Sequence, residues 1–367
     1  MRTLAFCLIL MSCVPGRIRD SADGSGTGGD DLGHFPRYDF AIDPNSDSDH
    51  DGYTPAQGDC NDSDPLVGPM AVEVADNRVD DDCDGTIDNV TPPCDAMLSG
   101  MKDAAALAGA IGLCDKRFLL ATTLTAADPR AVQVLPDYGT NYAPKEGSAI
   151  AALSTGIAAR KSDKGYVSPQ EGTEFRSVDP NPDLTVPVVA GCGQKKAPAT
   201  VNDMTTLEVK LKVPQNAKSF SFSFVYDSAE YPEYVCTDYN DAFLAELQSK
   251  MYPKFQNVSF DSAGHPITVN NALFTVCDNW TTAKTKQCKT PGSALAGTGY
   301  ENSDFLTGNR IGGGTGWLTT TVPVDYLETI TLRFIIFDEG DQIYDSAVVL
   351  DNFVWSLNAA SGPVTIP

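Results

Sequence analysis

Between residues 206 and 213, Leu207, Val209, Leu211 and Val213 alternate with Glu208, Lys210 and Lys212. Between 219 and 226, Phe220, Phe222, Phe224 and Tyr226 alternate mostly with serines. A step of two puts every apolar side chain on one face of an extended strand, so both stretches predict strands with one face turned inward. The alternation returns over residues 329–337 and 346–355, with Gly, Pro, Asn and Asp clusters between the stretches where turns are needed. One stretch reads differently: Met97, Met101, Ala104, Leu107 and Ile111 recur at steps of three and four, which predicts a helix within residues 95–113. The pattern therefore predicts a mainly β fold over residues 91–358, a β-sandwich or jelly roll of antiparallel strands with a few short helices, followed by a tail at 359–367.

The first residues carry a different signal. Met1-Arg2 is a minimal positive region, residues 4–11 are apolar, and Leu10-Met11-Ser12-Cys13 follows. This resembles a bacterial lipoprotein signal over residues 1–13. The resemblance implies cleavage before Cys13 and acyl chains on the new terminus, enough for stable membrane anchoring. Val14 rather than Asp follows Cys13, which in diderm bacteria implies sorting to the outer membrane. An ordinary secretory signal with an incidental Cys13 is the other reading, and both imply export. Residues 14–42, with Ser21-Ala22-Asp23-Gly24-Ser25-Gly26-Thr27-Gly28-Gly29, cannot bury a core and predict a flexible linker. No other stretch reaches the roughly 18 apolar residues that span a bilayer, so the membrane contact expected is the N-terminal lipid alone.

Charge narrows the partners. With 49 acidic against 26 basic residues the formal net charge is −23, which argues against nucleic acid or an anionic lipid surface. Much of the excess falls in residues 43–89, which hold thirteen Asp, one Glu and a single Arg. A compact fold there calls for counter-cations. Beyond Cys7 and Cys13 the cysteines are Cys60, Cys83, Cys94, Cys114, Cys192, Cys236, Cys277 and Cys288, an even set that suits an oxidising compartment. Pairing sequence neighbours gives Cys60–Cys83, Cys94–Cys114, Cys192–Cys236 and Cys277–Cys288, although spacing alone leaves other pairings open.

Residues 43–90 predict a small metal-binding module. Asp47, Asp49 and Asp51 stand at positions 1, 3 and 5 of a loop with Gly52 at position 6, where a sharp turn wraps oxygens around a hard cation; the Tyr53 carbonyl would supply position 7. Asp80, Asp82 and Asp84 with Gly85 repeat the device, and Asp88 stands at position 9. Gly58 and Thr91 occupy the places where a helix-loop-helix hand would carry its bidentate Glu, so these are not EF-hands. Further ligands would come from Asp59, Asp62, Glu73 and Asp76. The run from Asp47 through Gly58-Asp59-Cys60-Asn61-Asp62 to Asp82-Cys83-Asp84-Gly85-Thr86-Ile87-Asp88 resembles the metal-binding repeat of MopE-type bacterial surface proteins. Copper, which that family's name implies, prefers imidazole or sulfur, and the chain has only His34, His50 and His265. An all-oxygen donor set is expected to take Ca2+.

The large domain carries a second resemblance. Residues 224–235, with Glu230-Tyr231-Pro232-Glu233-Tyr234, then Tyr239-Asn240-Asp241-Ala242-Phe243 and Phe337-Asp338-Glu339-Gly340-Asp341, are similar to the choice-of-anchor L domain. That resemblance implies an exported domain whose anchoring device varies between members. Glu230, Asn240, Asp241, Asp338 and Asp345 sit at strand ends or in loops beside aromatic residues. They read either as a second metal site or as groups that cap turns.

No catalytic set stands out. His265 in Ala263-Gly264-His265-Pro266 reads as a hairpin-turn residue, and Gly312-Gly313-Gly314-Thr315-Gly316 lacks the Lys of a phosphate loop. The expected function is that of an exported, lipid-anchored, calcium-binding cell-surface protein, not an enzyme, acting in adhesion or ligand binding or as an envelope component. A surface glycan or protein is its expected partner. The alternative is a secreted glycan-acting hydrolase, with Glu230 and Asp338 as its carboxylate pair.

Overall fold

A computed structural model describes residues 43–182, 199–278, 288–301 and 312–367. The leader, Cys13, the linker and Cys192 lie outside the described residues. From Pro44 to Pro367 the chain forms one compact unit.

The alternating stretches become the two sheets. In the first, β1 (Leu119–Thr125), β5 (Thr200–Lys212), β12 (Thr329–Asp338), β7 (Ala242–Gln248) and β8 (Gln256–Asn257) lie side by side, with β4 (Val178–Pro180) on β5 and β9 (Ile267–Thr268) on β7. In the second the order is β14 (Val364–Ile366), β11 (Leu318–Pro323), β6 (Ser219–Ser228), β13 (Ser346–Ser356), β3 (Ile150–Ser154) and β2 (Val132–Leu135), with β10 (Gly313–Gly314) on β6. The pairs within both sheets are antiparallel.

Face to face, the sheets bury Leu207, Val209 and Leu211 of β5, Leu332 and Phe334 of β12 and Phe243 of β7 against Phe220, Phe222, Phe224 and Tyr226 of β6. Phe222 meets Phe334 edge-on across the interface with ring centroids 5.0 Å apart, and Phe224 lies 4.9 Å from Phe243. The fold is thus a β-sandwich.

The second sheet is buried on its outer face too. Val225, Ala229, Ile150, Ala152 and Val349 pack there under Tyr138, Tyr142, Leu295 and Tyr300 from covering loops. This is why Val348, Val349 and Leu350 run on without alternation: each face of β13 has a core to fill.

The helix is shorter than its periodicity predicts. Only Ala104–Ala110 is α-helical, capped by the Asp103 carboxylate, which accepts from the Ala106 amide at 3.0 Å. Upstream, Gly100 adopts φ 87°, its N–H donates to the Val134 carbonyl at 2.8 Å, and the Val134 N–H donates to Met101 at 2.8 Å. Pairing with β2 therefore takes the backbone groups a longer helix would need, and Met97 is left 88% exposed. The Cys94–Cys114 disulfide encloses the helix.

Just before it, Asp95 is buried and accepts from the Ser148 and Ala149 amides at 2.6 Å each. Asp95→Ala strands both donors and is expected to cost about 2–3 kcal/mol. Urea unfolding checks this as a lowered midpoint at unchanged slope.

Candidate metal centre

The Asp-rich segment folds as two copies of one loop. In the first, the Asp47 carboxylate accepts from the His50 amide at 2.7 Å and the Gly52 amide at 3.1 Å, while Asp49 accepts from Asp51 at 3.2 Å and Asp51 from Tyr53 at 2.7 Å. In the second, Asp80 accepts from Asp84 at 3.1 Å and Gly85 at 2.9 Å, Asp82 from Asp84 at 3.2 Å, and Asp84 from Thr86 at 2.8 Å. Left-handed backbone recurs at matching places, His50 (φ 67°) and Gly52 (φ 99°), then Cys83 (φ 57°) and Gly85 (φ 94°). Each turn bends the carboxylates inward, and the Cys60–Cys83 disulfide ties the halves together.

Two groups result. Ligand oxygens of Asp47, Asp49 and Asp51 lie within 4.8 Å of one another, as do those of Glu73, Asp80 and Asp82. Asp59 stands near the first group: burial pushes the Asp51 carboxyl up to about 6, and the charges of Asp49, Asp59 and Asp47 push it the same way. Burial, then Asp49, Asp62 and Asp47, likewise push Asp59 up. Asp49 Oδ2, Asp59 Oδ2 and Glu73 Oε2 are buried with no hydrogen-bond partner. Crowded carboxylates with orphaned oxygens are what a hard cation would satisfy, so the donors present fit such an ion.

The remaining predicted ligands are spread around these groups. Asp62 accepts from the Ser48 amide and hydroxyl, at 2.9 and 2.7 Å, which clips the Asp59 turn onto the first loop. Asp84 also accepts from the Asn89 side-chain Nδ2 at 2.8 Å, and Asp88 accepts from the Arg78 backbone amide at 3.1 Å. Asp76 is exposed with φ 63° and belongs to neither group. Tyr53 follows the first loop, its amide held by Asp51.

Side chains of the sandwich hold this segment in place, which local patterning could not reveal. The Gln215 amide donates to the Asp51 carboxylate and to the Val67 carbonyl at 3.1 Å, and Asn216 bonds both the amide and the carbonyl of Val72. Arg117 pairs with Asp82 at 2.8 Å and with Asp115 at 2.6 Å. Gln215 and Asn216 lie in the β5–β6 turn, where a polar run reads only as a connection. Beside the first loop opens a cleft of about 590 Å³, bordered by Asp49, His50, Leu66, Lys218, Met251 and Tyr326.

At the opposite end of the sandwich, Glu230, Asp241, Asp338 and Asp345 come together, each no more than 3% exposed. The Asp241 amide donates to Glu230 at 3.1 Å, and the Ser346 hydroxyl donates to Asp241 at 2.7 Å. Burial pushes the Asp241 carboxyl up to about 7 and holds Glu230, Asp338 and Asp345 well above the carboxylate range. Asn240 turns aside, its amide oxygen accepting from Asn270 at 2.7 Å. Asp227 was not singled out by the pattern, yet it is fully buried on the outer face of the second sheet beside Tyr138. His265 sits in the Asp261–His265 turn, its amide donating to Asp261 at 3.0 Å.

Fold and site together define a β-sandwich domain with a docked acidic segment whose carboxylates gather in two groups. Residues 146–354 match the family model of the choice-of-anchor L domain, and the chain belongs to that family. Residues 59–89 match a second family model, of MopE type and described as "Putative metal-binding motif". The first loop lies just upstream of that match. No curated protein matches the chain. Among solved structures, the chain is similar to TmCBM61 in complex with β-1,4-galactotriose, at 8% identity over 64% of this chain and 87% of that one. The TM-score of that match is 0.26. Among the described residues no helix is long and apolar enough to cross a membrane.

Proposed function

We propose that the chain is an exported cell-surface protein whose acidic loops bind Ca2+ and whose sandwich presents a ligand-binding face. Family membership and the metal-binding motif fit a surface role without catalysis. The observation that carries the metal reading is the trio of buried, unpartnered oxygens on Asp49, Asp59 and Glu73 amid converging carboxylates. Asp47, Asp49, Asp51 and Asp59 would hold one ion, and Glu73, Asp80 and Asp82 another. Only oxygens are on offer, and loops of this kind at extracellular calcium levels stay filled and act as folding staples.

Anchorage through a lipid on Cys13 at the outer membrane completes the reading, with a surface glycan or protein as ligand. The cleft beside the first loop supports a ligand role: Tyr326 and Met251 on its border are 60% and 51% exposed, an apolar platform next to a charged rim. For the alternative of a glycan hydrolase, Glu230 and Asp338 would have to face a substrate, and both are buried.

Thermal melting of the mature chain tests the metal reading. Calcium at a hundredfold above its dissociation constant is expected to stabilise the protein by about 2.7 kcal/mol per filled loop. Chelator should reverse the gain, and the double variant Asp49→Ala, Asp82→Ala should lose the part of it that the two loops contribute. An unchanged melting curve with calcium and with chelator sinks the assignment.

A further inference from the structure

We propose that the carboxylates of Asp241 and Asp338, flanked by Glu230 and Asp345, hold a further divalent cation that pins the two sheets together at the end remote from the acidic loops. The placement comes from topology. Asp241 immediately precedes β7 and Asp338 ends β12, neighbours in the first sheet. Glu230 follows β6 and Asp345 precedes β13, neighbours in the second. The turn ends of both sheets thus deliver one acidic group after another to the same buried place.

Among the described residues, the charges that act most strongly on this place are negative. Burial is the largest cause that raises Glu230, Asp241, Asp338 and Asp345, and the charges of neighbouring carboxylates, Asp341 among them, push the same way, while the Asp338 side chain beside Asp241 and the Ser346 hydroxyl lower Asp241 in part. Hydrogen bonds do not make up the deficit. Glu230 accepts from the Asp241 amide, Asp241 from the Glu339 amide at 3.2 Å and the Ser346 hydroxyl, and Asp345 from the Thr173 amide at 3.0 Å. Both oxygens of Asp338, 2% exposed, lack a hydrogen-bond partner in good geometry, and the side chains that stand nearest, Asp241 and Thr155, offer one hydroxyl between them. A buried carboxylate in that position needs either a proton or a cation. The Tyr226 hydroxyl, reaching from the second sheet, donates to the Asp241 carbonyl at 2.8 Å and stands 3.3 Å from Ser346 Oγ, so the surrounding polar groups are already fixed in position. An all-oxygen set of this kind selects a hard ion of calcium's type. The carboxylates converge less tightly than those of the loops, so binding would draw them inward.

The experiment counts bound Ca2+ per chain by equilibrium dialysis on the full chain, in wild type and two double variants. Asp241→Asn with Asp338→Asn is expected to lose one ion. Asp49→Ala with Asp82→Ala is expected to keep the ion that the first pair removes. In that loop-deficient background Glu230→Gln, which retains an acceptor for the Asp241 amide, should weaken the remaining site about tenfold. This last measurement serves if the Asp241, Asp338 pair fails to fold. An unchanged ion count in the folded Asp241, Asp338 variant overturns the proposal, and so does calcium affinity unmoved by Glu230→Gln. The first would mean that the two carboxylates share a proton instead. Loss of all calcium in the loop variant alone would also refute it, while leaving the loop assignment standing; an unchanged count there would fault the loops only.

Discussion

Phe222→Ala is expected to lower the stability of the protein by about 3–5 kcal/mol. The ring is fully buried between the sheets, meets Phe334 edge-on at 5.0 Å and lies 6.0 Å from Phe224 and 6.5 Å from Phe220. Its loss opens a cavity where both sheets are held by hydrogen-bonded neighbours and cannot close in. Leu120→Ala serves as the control: Leu120 is 48% exposed, and its replacement should change stability by less than about 0.5 kcal/mol. Chemical denaturation of the two variants side by side gives the comparison, and equal effects would refute the assigned core.

Replacing Cys60 and Cys83 by Ser is expected to cost about 3 kcal/mol in the stability of the acidic segment, from the chain entropy released when a 23-residue separation is no longer closed. The effect should be larger still with chelator, because the carboxylates around the two loops then repel one another without either restraint. Limited proteolysis reads it directly: cleavage should concentrate within residues 44–90 while the sandwich stays intact. Cleavage as slow as in wild type would show that the bridge does little.

The loop turns were legible in sequence because their hydrogen bonds are local: each loop Asp bonds amides two to five residues on, so spacing alone fixes the turn. The alternating parts of β5 and β6 were equally plain, since Leu207, Val209 and Leu211 and Phe220, Phe222 and Phe224 turn one apolar face to the core between the sheets. The end of β12 was harder. Ile335 and Phe337 pack on the outer face with Leu244 and Ala242, so alternation fades where both faces are covered. Residues 95–103 misled for another reason. Helical spacing was present, but Gly100 and the partners offered by β2 decide the backbone there, and a sequence window sees neither. Three disulfides follow the sequence-neighbour pairing, at 60–83, 94–114 and 277–288. Docking by Gln215, Asn216 and Arg117 lay beyond reach, because each contact joins residues far apart in the chain.

That docking has a mechanical consequence. The acidic segment precedes the sandwich in the chain and grips it through side chains of Gln215, Asn216 and Arg117 and through the Gln215 backbone amide on the Met70 carbonyl, not through a shared sheet. Tension entering from the N-terminal side reaches those few bonds before any strand pair, and loads them one at a time. The seam yields first and lets out slack, while the interlocked strands behind it remain unstretched.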